Sequence, residues 1–199
     1  GGFTMRIIKR LHSVCRERKA EKMNVICFGD SNTYGYDPRS YLGGRYDTDS
    51  RWVDILAEET GWTVRNLGEN GREIPASAPV FSADTDLLIV MLGTNDLLQS
   101  RSPEQAAERL ERFLSSLSLD RSKILLIAPP PVKRGAWVPN QQLIDDSHTF
   151  AQCCRSLAER RNLRFADTGK WDIALTYDGV HFTEQGHKTF AARLLEEFK

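Results

Sequence analysis

The chain has 199 residues, of which 40% are hydrophobic and 27% are charged. These fractions are typical of a globular protein, and the length suits one domain with a substantial core. Basic and acidic residues both number 27, so the net charge is zero. This balance gives no sign of a nucleic-acid or anionic-membrane partner. No apolar run in the sequence has the length that a transmembrane helix needs.

The cysteines give no sign of metal or redox chemistry. The sequence has four, at Cys15, Cys27, Cys153 and Cys154, and none lies in a Cys-x-x-Cys pair. Cys27 falls within an apolar run, as a buried thiol would. We therefore expect reduced thiols, no metal and a cytoplasmic protein.

Residues 1–22 differ in composition from the rest of the chain. Seven basic residues stand against two glutamates there, namely Arg6, Lys9, Arg10, Arg16, Arg18, Lys19 and Lys22. Ile7, Leu11 and Val14 share helical spacing, so a basic amphipathic helix is one interpretation. We favour the other, a basic extension upstream of a start at Met23. A single domain is then predicted to cover residues 23–199.

From residue 23 onward, predicted strands alternate with predicted helices. Strands are expected at 24–28, 63–67, 86–92, 123–128 and 163–166. Helices are expected at 51–60, from Pro103, at 140–161, and from a cap at Thr183 to residue 198. Alternation of this kind predicts a parallel sheet with helices on both faces, a three-layer α/β/α sandwich of about five strands. A strand order of 2-1-3-4-5 would place the ends of strands one and three beside one crevice.

A serine follows the first predicted strand directly. The apolar residues 25–28 run into Gly29-Asp30-Ser31-Asn32. Ligands of open α/β sheets bind at the carboxyl ends of strands, so Ser31 is a candidate nucleophile. The alternative is a serine that caps the next helix or closes a turn.

Only one of the four histidines is a good candidate for a general base. His12 lies in the basic extension, and His148 and His187 lie on predicted helices. His181 lies in a loop three residues after Asp178, whose carboxylate could orient the imidazole ring. The alternative is a capping aspartate beside a surface histidine. Zinc binding is disfavoured because no further His or Cys stands at ligand spacing.

Three hydrogen-bond donors that could stabilise an oxyanion follow three separate strands. They are the backbone N–H groups of Ser31 and Gly71 and the side-chain amide of Asn95. Each has an ordinary alternative, such as a turn glycine or an Asx turn. Their joint placement after strands one, two and three favours the oxyanion hole.

Two loops, 36–50 and 129–139, carry aromatic residues that are predicted to wall a substrate pocket. The candidates for substrate contact are Tyr36, Tyr46 and Trp137. The sequence has no Gly-x-x-x-x-Gly-Lys and no Gly-x-Gly-x-x-Gly, so we expect no nucleotide cofactor.

Four short blocks of this sequence resemble those of the GDSL or SGNH hydrolase superfamily. In chain order they are Gly29-Asp30-Ser31-Asn32, Asn66-Leu67-Gly68-Glu69-Asn70-Gly71, Gly93-Thr94-Asn95-Asp96 and Asp178-Gly179-Val180-His181. The blocks are most similar to the bacterial arylesterase and acyltransferase branch. Two features depart from that branch: Asn32 stands where leucine is common, and the loop 68–72 is more acidic.

The resemblance implies a flavodoxin-like sandwich and ester hydrolysis without a cofactor, with homo-oligomers in some members. By position it implies Ser31 as nucleophile, His181 as base and Asp178 as the orienting acid. It places Ser31, Gly71 and Asn95 in the oxyanion hole.

We therefore expect a serine esterase that acts on small-molecule, short-acyl esters, with acetylated sugars or aryl esters as candidate substrates. Two alternatives stay open. One is an acyltransferase that uses the same site, and the other is a non-catalytic module that binds a small ligand.

Overall fold

Five parallel strands alternate with helices in the computed structural model, which describes residues 21–199. The strands are β1 (Asn24–Gly29), β2 (Thr63–Gly68), β3 (Leu87–Met91), β4 (Ile124–Ala128) and β5 (Arg164–Asp167). They form one sheet in the order β2-β1-β3-β4-β5, with every neighbouring pair parallel. The structure thus confirms the predicted α/β fold and its strand order. The predicted extension, residues 1–22, lies outside the described residues except for its last two.

Between residues 21 and 199, six α-helices connect or follow these strands. They are α1 (Ser31–Tyr34), α2 (Trp52–Thr60), α3 (Thr94–Leu98), α4 (Pro103–Ser115), α5 (Gln141–Arg161) and α6 (Glu184–Glu196). The sequence did not predict α1 and α3, because helices of four and five residues are too short to show a periodic pattern. Both begin just beyond a strand end, at the edge of the sheet where the site lies.

The sheet has an apolar layer on each face, which gives the predicted three layers. Alternate residues of β1 and β3 point to opposite faces. One face packs against α4 and α5 through Ile26, Phe28, Leu88, Val90, Leu110, Phe113, Phe150 and Leu157. The other packs against α2 and α6 through Val25, Cys27, Ile89, Met91, Trp52, Leu56, Phe190 and Leu194. Across residues 21–199, no helix combines the length and apolarity needed to cross a membrane.

His187, on α6, is completely buried among aromatic rings. Its ring lies 5.4 Å from that of Tyr46 and 5.2 Å from that of Phe182, centroid to centroid. Nδ1 accepts a long hydrogen bond of 3.4 Å from the Trp52 N–H. Burial, with a smaller effect from the nearby Arg51 guanidinium, lowers the pKa of His187 to about 3. His187 is therefore a neutral packing residue at physiological pH.

This burial predicts a loss of stability in acid. The unfolded chain takes up a proton near pH 6.5, whereas folded His187 does not, so stability present above that pH is lost as the pH falls toward 3. His187→Asn keeps an acceptor for the Trp52 N–H and does not titrate. Between pH 7 and pH 5, the free energy of unfolding of the wild type should fall by about 2 kcal/mol relative to His187→Asn. Urea unfolding of both proteins at the two pH values tests this. The same difference in the free energy of unfolding between the two proteins at pH 7 and pH 5 would contradict it.

Candidate active site

Ser31, His181 and Asp178 form a continuous line of hydrogen bonds at the carboxyl edge of the sheet. His181 Nε2 lies 3.0 Å from Ser31 Oγ, and His181 Nδ1 lies 2.6 Å from Asp178 Oδ2. Ser31 is the first residue of α1, and the other two lie in the loop before α6. All three are buried. The structure thus brings together the three residues that the sequence proposed as nucleophile, base and orienting acid.

The two carboxylate oxygens of Asp178 have different hydrogen-bond partners. Oδ1 accepts the backbone N–H groups of Val180 at 2.8 Å and His181 at 2.9 Å, which leaves Oδ2 to the imidazole. Gly179 closes this turn with φ +81°, a conformation that favours glycine. Burial alone would raise the Asp178 pKa, but these hydrogen bonds outweigh it and lower the pKa to about 2. Asp178 is therefore an anion that holds a proton on Nδ1 and leaves Nε2 free to accept one from Ser31.

A second loop holds this turn in place. The Lys133 N–H donates to the Gly179 carbonyl at 2.9 Å, and the Trp137 N–H donates to the Asp178 carbonyl at 3.0 Å. Between them, Gly135 packs so closely that a Cβ atom there would lie 2.4 Å from the Asp178 carbonyl carbon. Sequence reasoning missed Gly135, because nothing local distinguishes it from an ordinary turn glycine.

The three proposed oxyanion donors follow the adjacent strands β2, β1 and β3. Gly71 lies in the turn after β2 with φ +74°, and Asn95 is the second residue of α3. Within residues 21–199, neither the Ser31 N–H nor the Gly71 N–H donates to another protein group. Asn95 Nδ2 donates to the Arg72 carbonyl at 3.0 Å and, over a longer distance of 3.4 Å, to Asp30 Oδ2. These bonds hold the amide beside the Gly71 turn. Two unpaired N–H groups and one oriented amide are thus presented at one edge of the sheet.

Two buried aspartates stabilise the ends of these strands. Asp30 caps α1 by accepting the Asn32 N–H at 3.0 Å, and burial raises the Asp30 pKa to about 6. Asp96 accepts the Ile74 N–H at 2.9 Å and lies 3.0 Å from Arg109 Nε. Asp30 therefore fixes the start of α1, and Asp96 fixes the loop backbone at Ile74.

Two of the three predicted aromatic residues flank His181. The ring centroids of Tyr36 and Trp137 lie 4.8 and 5.0 Å from that of His181, both edge-on. Trp137 is 49% exposed, so part of this residue is accessible from solvent beside His181.

Tyr46 is placed differently from the prediction. Only 5% of it is exposed, its hydroxyl donates to the Phe182 carbonyl at 3.0 Å, and its ring packs on His187. The loop returns to α1 at this point, where the Tyr46 N–H donates to the Gly35 carbonyl, and this turns the side chain inward. Tyr46 therefore belongs to the buried packing around His187 and is not available for substrate contact.

A zinc site needs three or more ligating side chains around one point. In the part of the chain that the structure describes, no group of three or more His, Cys, Asp or Glu side chains is arranged to hold a metal ion.

An α/β sandwich with a Ser-His-Asp line at its carboxyl edge is typical of serine hydrolases. A family model described as the GDSL-like lipase/acylhydrolase family matches residues 27–189. The chain belongs to this family and is a carboxylic ester hydrolase of the GDSL type, as the sequence predicted. The comparison with curated protein sequences gave no match.

Solved structures with the same fold include several esterases. The native aryl esterase of M. smegmatis is 25% identical, with a TM-score of 0.71, and the match covers 88% of this chain and 98% of that one. A carbohydrate acetylesterase family member from Sinorhizobium meliloti is also 25% identical, with a TM-score of 0.71 and coverage of 86% and 95%. A lipase/acylhydrolase from Enterococcus faecalis shares the fold at 21% identity, with a TM-score of 0.68 and coverage of 88% and 95%.

Proposed function

We propose that the protein hydrolyses short-acyl carboxylic esters through an acyl-enzyme formed on Ser31. The observation that carries the proposal is the buried hydrogen-bond line from Ser31 Oγ through His181 to ionised Asp178. A hydroxyl is a weak nucleophile unless a base accepts its proton, and His181 Nε2 lies at the distance required for this.

In the proposed mechanism, Ser31 Oγ attacks the ester carbonyl carbon while its proton passes to His181 Nε2. Asp178 stabilises the resulting imidazolium. The carbonyl oxygen becomes an oxyanion that accepts hydrogen bonds from the Ser31 and Gly71 N–H groups and from Asn95 Nδ2. The C–O bond to the alcohol then breaks, and His181 gives its proton to the leaving oxygen. Water, deprotonated by His181, attacks the acyl group and releases the acid and free Ser31.

The aromatic residues support an aryl or sugar alcohol as the leaving group. His181 protonates the leaving alcohol, and the rings of Tyr36 and Trp137 pack against His181, so the alcohol would leave along an aromatic surface. Flat aryl rings and the C–H faces of sugars both pack well on such surfaces. The arylesterase and carbohydrate acetylesterase among the similar structures agree with this substrate class.

Hydrolysis is favoured over acyl transfer because Trp137, which packs on His181, is half-exposed to water. A transferase must exclude water from the acyl-enzyme.

The test of the proposed function is turnover of p-nitrophenyl acetate, butyrate and octanoate, with benzyl alcohol present as an alternative acceptor. We expect the free acid as main product and the fastest rate with acetate. Benzyl ester as main product would favour the transferase, and no turnover of any ester would favour the binding module.

Replacement of Asn95 by alanine tests the oxyanion hole. Asn95→Ala removes one donor that acts mainly in the transition state, so kcat should fall roughly 100- to 1000-fold with little change in KM. Steady-state kinetics on p-nitrophenyl acetate provide the measurement. Asn70→Ala, at an exposed position next to Gly71, is the matched control and should keep the wild-type kcat. A wild-type kcat in Asn95→Ala would remove the amide from the mechanism.

A further inference from the structure

Asn32, the residue that follows Ser31, hydrogen-bonds to the backbone on both sides of His181. Its Nδ2 donates to the Val180 carbonyl at 3.1 Å, and its Oδ1 accepts the Phe182 N–H at 3.0 Å. The side chain is buried, with 6% of the residue exposed. One amide therefore satisfies a buried acceptor and a buried donor that would otherwise be unpaired.

The backbone of Asn32 is itself held in place. Its N–H donates to the cap Asp30 at 3.0 Å, and its carbonyl accepts the indole N–H of Trp52 at 2.8 Å. Trp52 is almost fully buried in the core. These hydrogen bonds fix the backbone of Asn32, and so they restrict where its side-chain amide can lie.

Ser31 and His181 are 150 residues apart in sequence, so their distance depends on how α1 and the His181 loop are joined. Asp178 fixes the internal shape of that loop, but its contacts with His181 and Val180 lie within the loop. Among the described residues, Asn32 is the only α1 side chain other than Ser31 that hydrogen-bonds to the loop.

We infer that Asn32 is a positioning residue that sets the distance and angle between Ser31 Oγ and His181 Nε2. The inference rests on the proposed function. Asn32 does not touch the reacting atoms; it acts by holding the backbone of Val180 and Phe182, and so of His181 between them. A shift of about 1 Å between reacting groups can cost about 100-fold in rate, so two hydrogen bonds adjacent to His181 can matter greatly for turnover.

Two substitutions of Asn32 separate positioning from simple stability. Asn32→Leu has a similar volume and removes both hydrogen bonds, so kcat on p-nitrophenyl acetate should fall about 100-fold with little change in KM. Asn32→Asp keeps the acceptor for the Phe182 N–H but places a carboxylate oxygen against the Val180 carbonyl. Protonation would turn that oxygen into a donor. The kcat/KM of Asn32→Asp relative to wild type should therefore rise as the pH falls from about 8 to about 5.5.

Tyr46→Phe is the matched control. It removes a different buried hydrogen bond to the same loop, from the Tyr46 hydroxyl to the Phe182 carbonyl, and Tyr46 does not lie on the helix that carries Ser31. Its melting temperature should fall about as much as that of the Asn32 variants, while its kcat falls far less. Equal losses of kcat in Tyr46→Phe and Asn32→Asp would show that Asn32 acts only through stability and would overturn the inference.

The rate of inactivation by a fluorophosphonate, which modifies activated serines, separates failure of this inference from failure of the proposed function. A wild type that reacts neither with the ester nor with the fluorophosphonate would overturn both. If the wild type reacts and Asn32→Asp reacts as fast as the wild type at every pH, the positioning role of Asn32 is overturned. The proposed function would still stand. We expect a reactive wild type and slow inactivation of Asn32→Asp that recovers toward low pH. The Asp variant also keeps the test valid if Asn32→Leu does not fold.

Discussion

Replacement of Ser31 by alanine is expected to lower kcat for p-nitrophenyl acetate by about 10⁴-fold or more. The substitution removes the only atom of the hydrogen-bond line that can form the acyl-enzyme, and His181 Nε2 then has no hydroxyl to activate. The oxyanion donors are left in place, so a small residual rate should persist. KM should change little, because the Ser31 hydroxyl contributes little to ground-state binding.

Ser116→Ala is the matched control for this experiment. Ser116 lies at the end of α4, where its hydroxyl accepts the Ala78 N–H at 2.8 Å, away from the site. Its loss should lower stability slightly and leave kcat unchanged. If Ser31→Ala turned over the ester at the wild-type rate, Ser31 would have no part in the chemistry, and the binding module would be the better description.

Replacement of Asp178 by asparagine is expected to lower kcat by about 10⁴-fold, although the two side chains have the same shape. Oδ1 accepts two backbone N–H groups, so the carbonyl oxygen of the new asparagine must occupy that position. The NH₂ group then faces His181 Nδ1 and donates to it. The imidazole proton is forced onto Nε2, which points at Ser31 Oγ and can no longer accept its proton.

Steady-state kinetics on p-nitrophenyl acetate measure this effect. Asp172→Asn is the matched control, because the Asp172 side chain is fully exposed and its backbone has φ +52°, which asparagine tolerates. Asp172→Asn should keep the wild-type kcat. A wild-type kcat in Asp178→Asn would show that the carboxylate does not orient His181.

Much of the fold was predictable because it depends on patterns that are local in sequence. Residues 87–92 are apolar throughout, as a central strand covered on both faces must be, and 87–91 form β3. Alternation of strands and helices then restricts the topology to a few arrangements. The short helices α1 and α3 were missed, because their stability comes from caps and from neighbouring strands and not from a periodic apolar face.

Contacts between site residues of the same turn were predictable from the sequence. Contacts between residues of separate loops were less so. Asp178 and His181 are three residues apart, so their hydrogen bond follows from the turn itself. Tyr46 was predicted to face the substrate because it lies in a polar loop, but its orientation depends on contacts with Phe182 and His187, more than 130 positions away. Gly135 was missed for the same reason, since its close contact with Asp178 arises only in the folded chain.

The most direct test of the acyl-enzyme mechanism is to map the site of covalent modification by diethyl p-nitrophenyl phosphate. This ester transfers a stable phosphoryl group to the serine that attacks it, so the adduct identifies the nucleophile. We expect one phosphoryl group per chain, located by mass spectrometry on the peptide that contains Ser31, with activity lost in proportion to labelling. Full activity in the labelled protein, or a stoichiometric adduct on another residue, would contradict the mechanism.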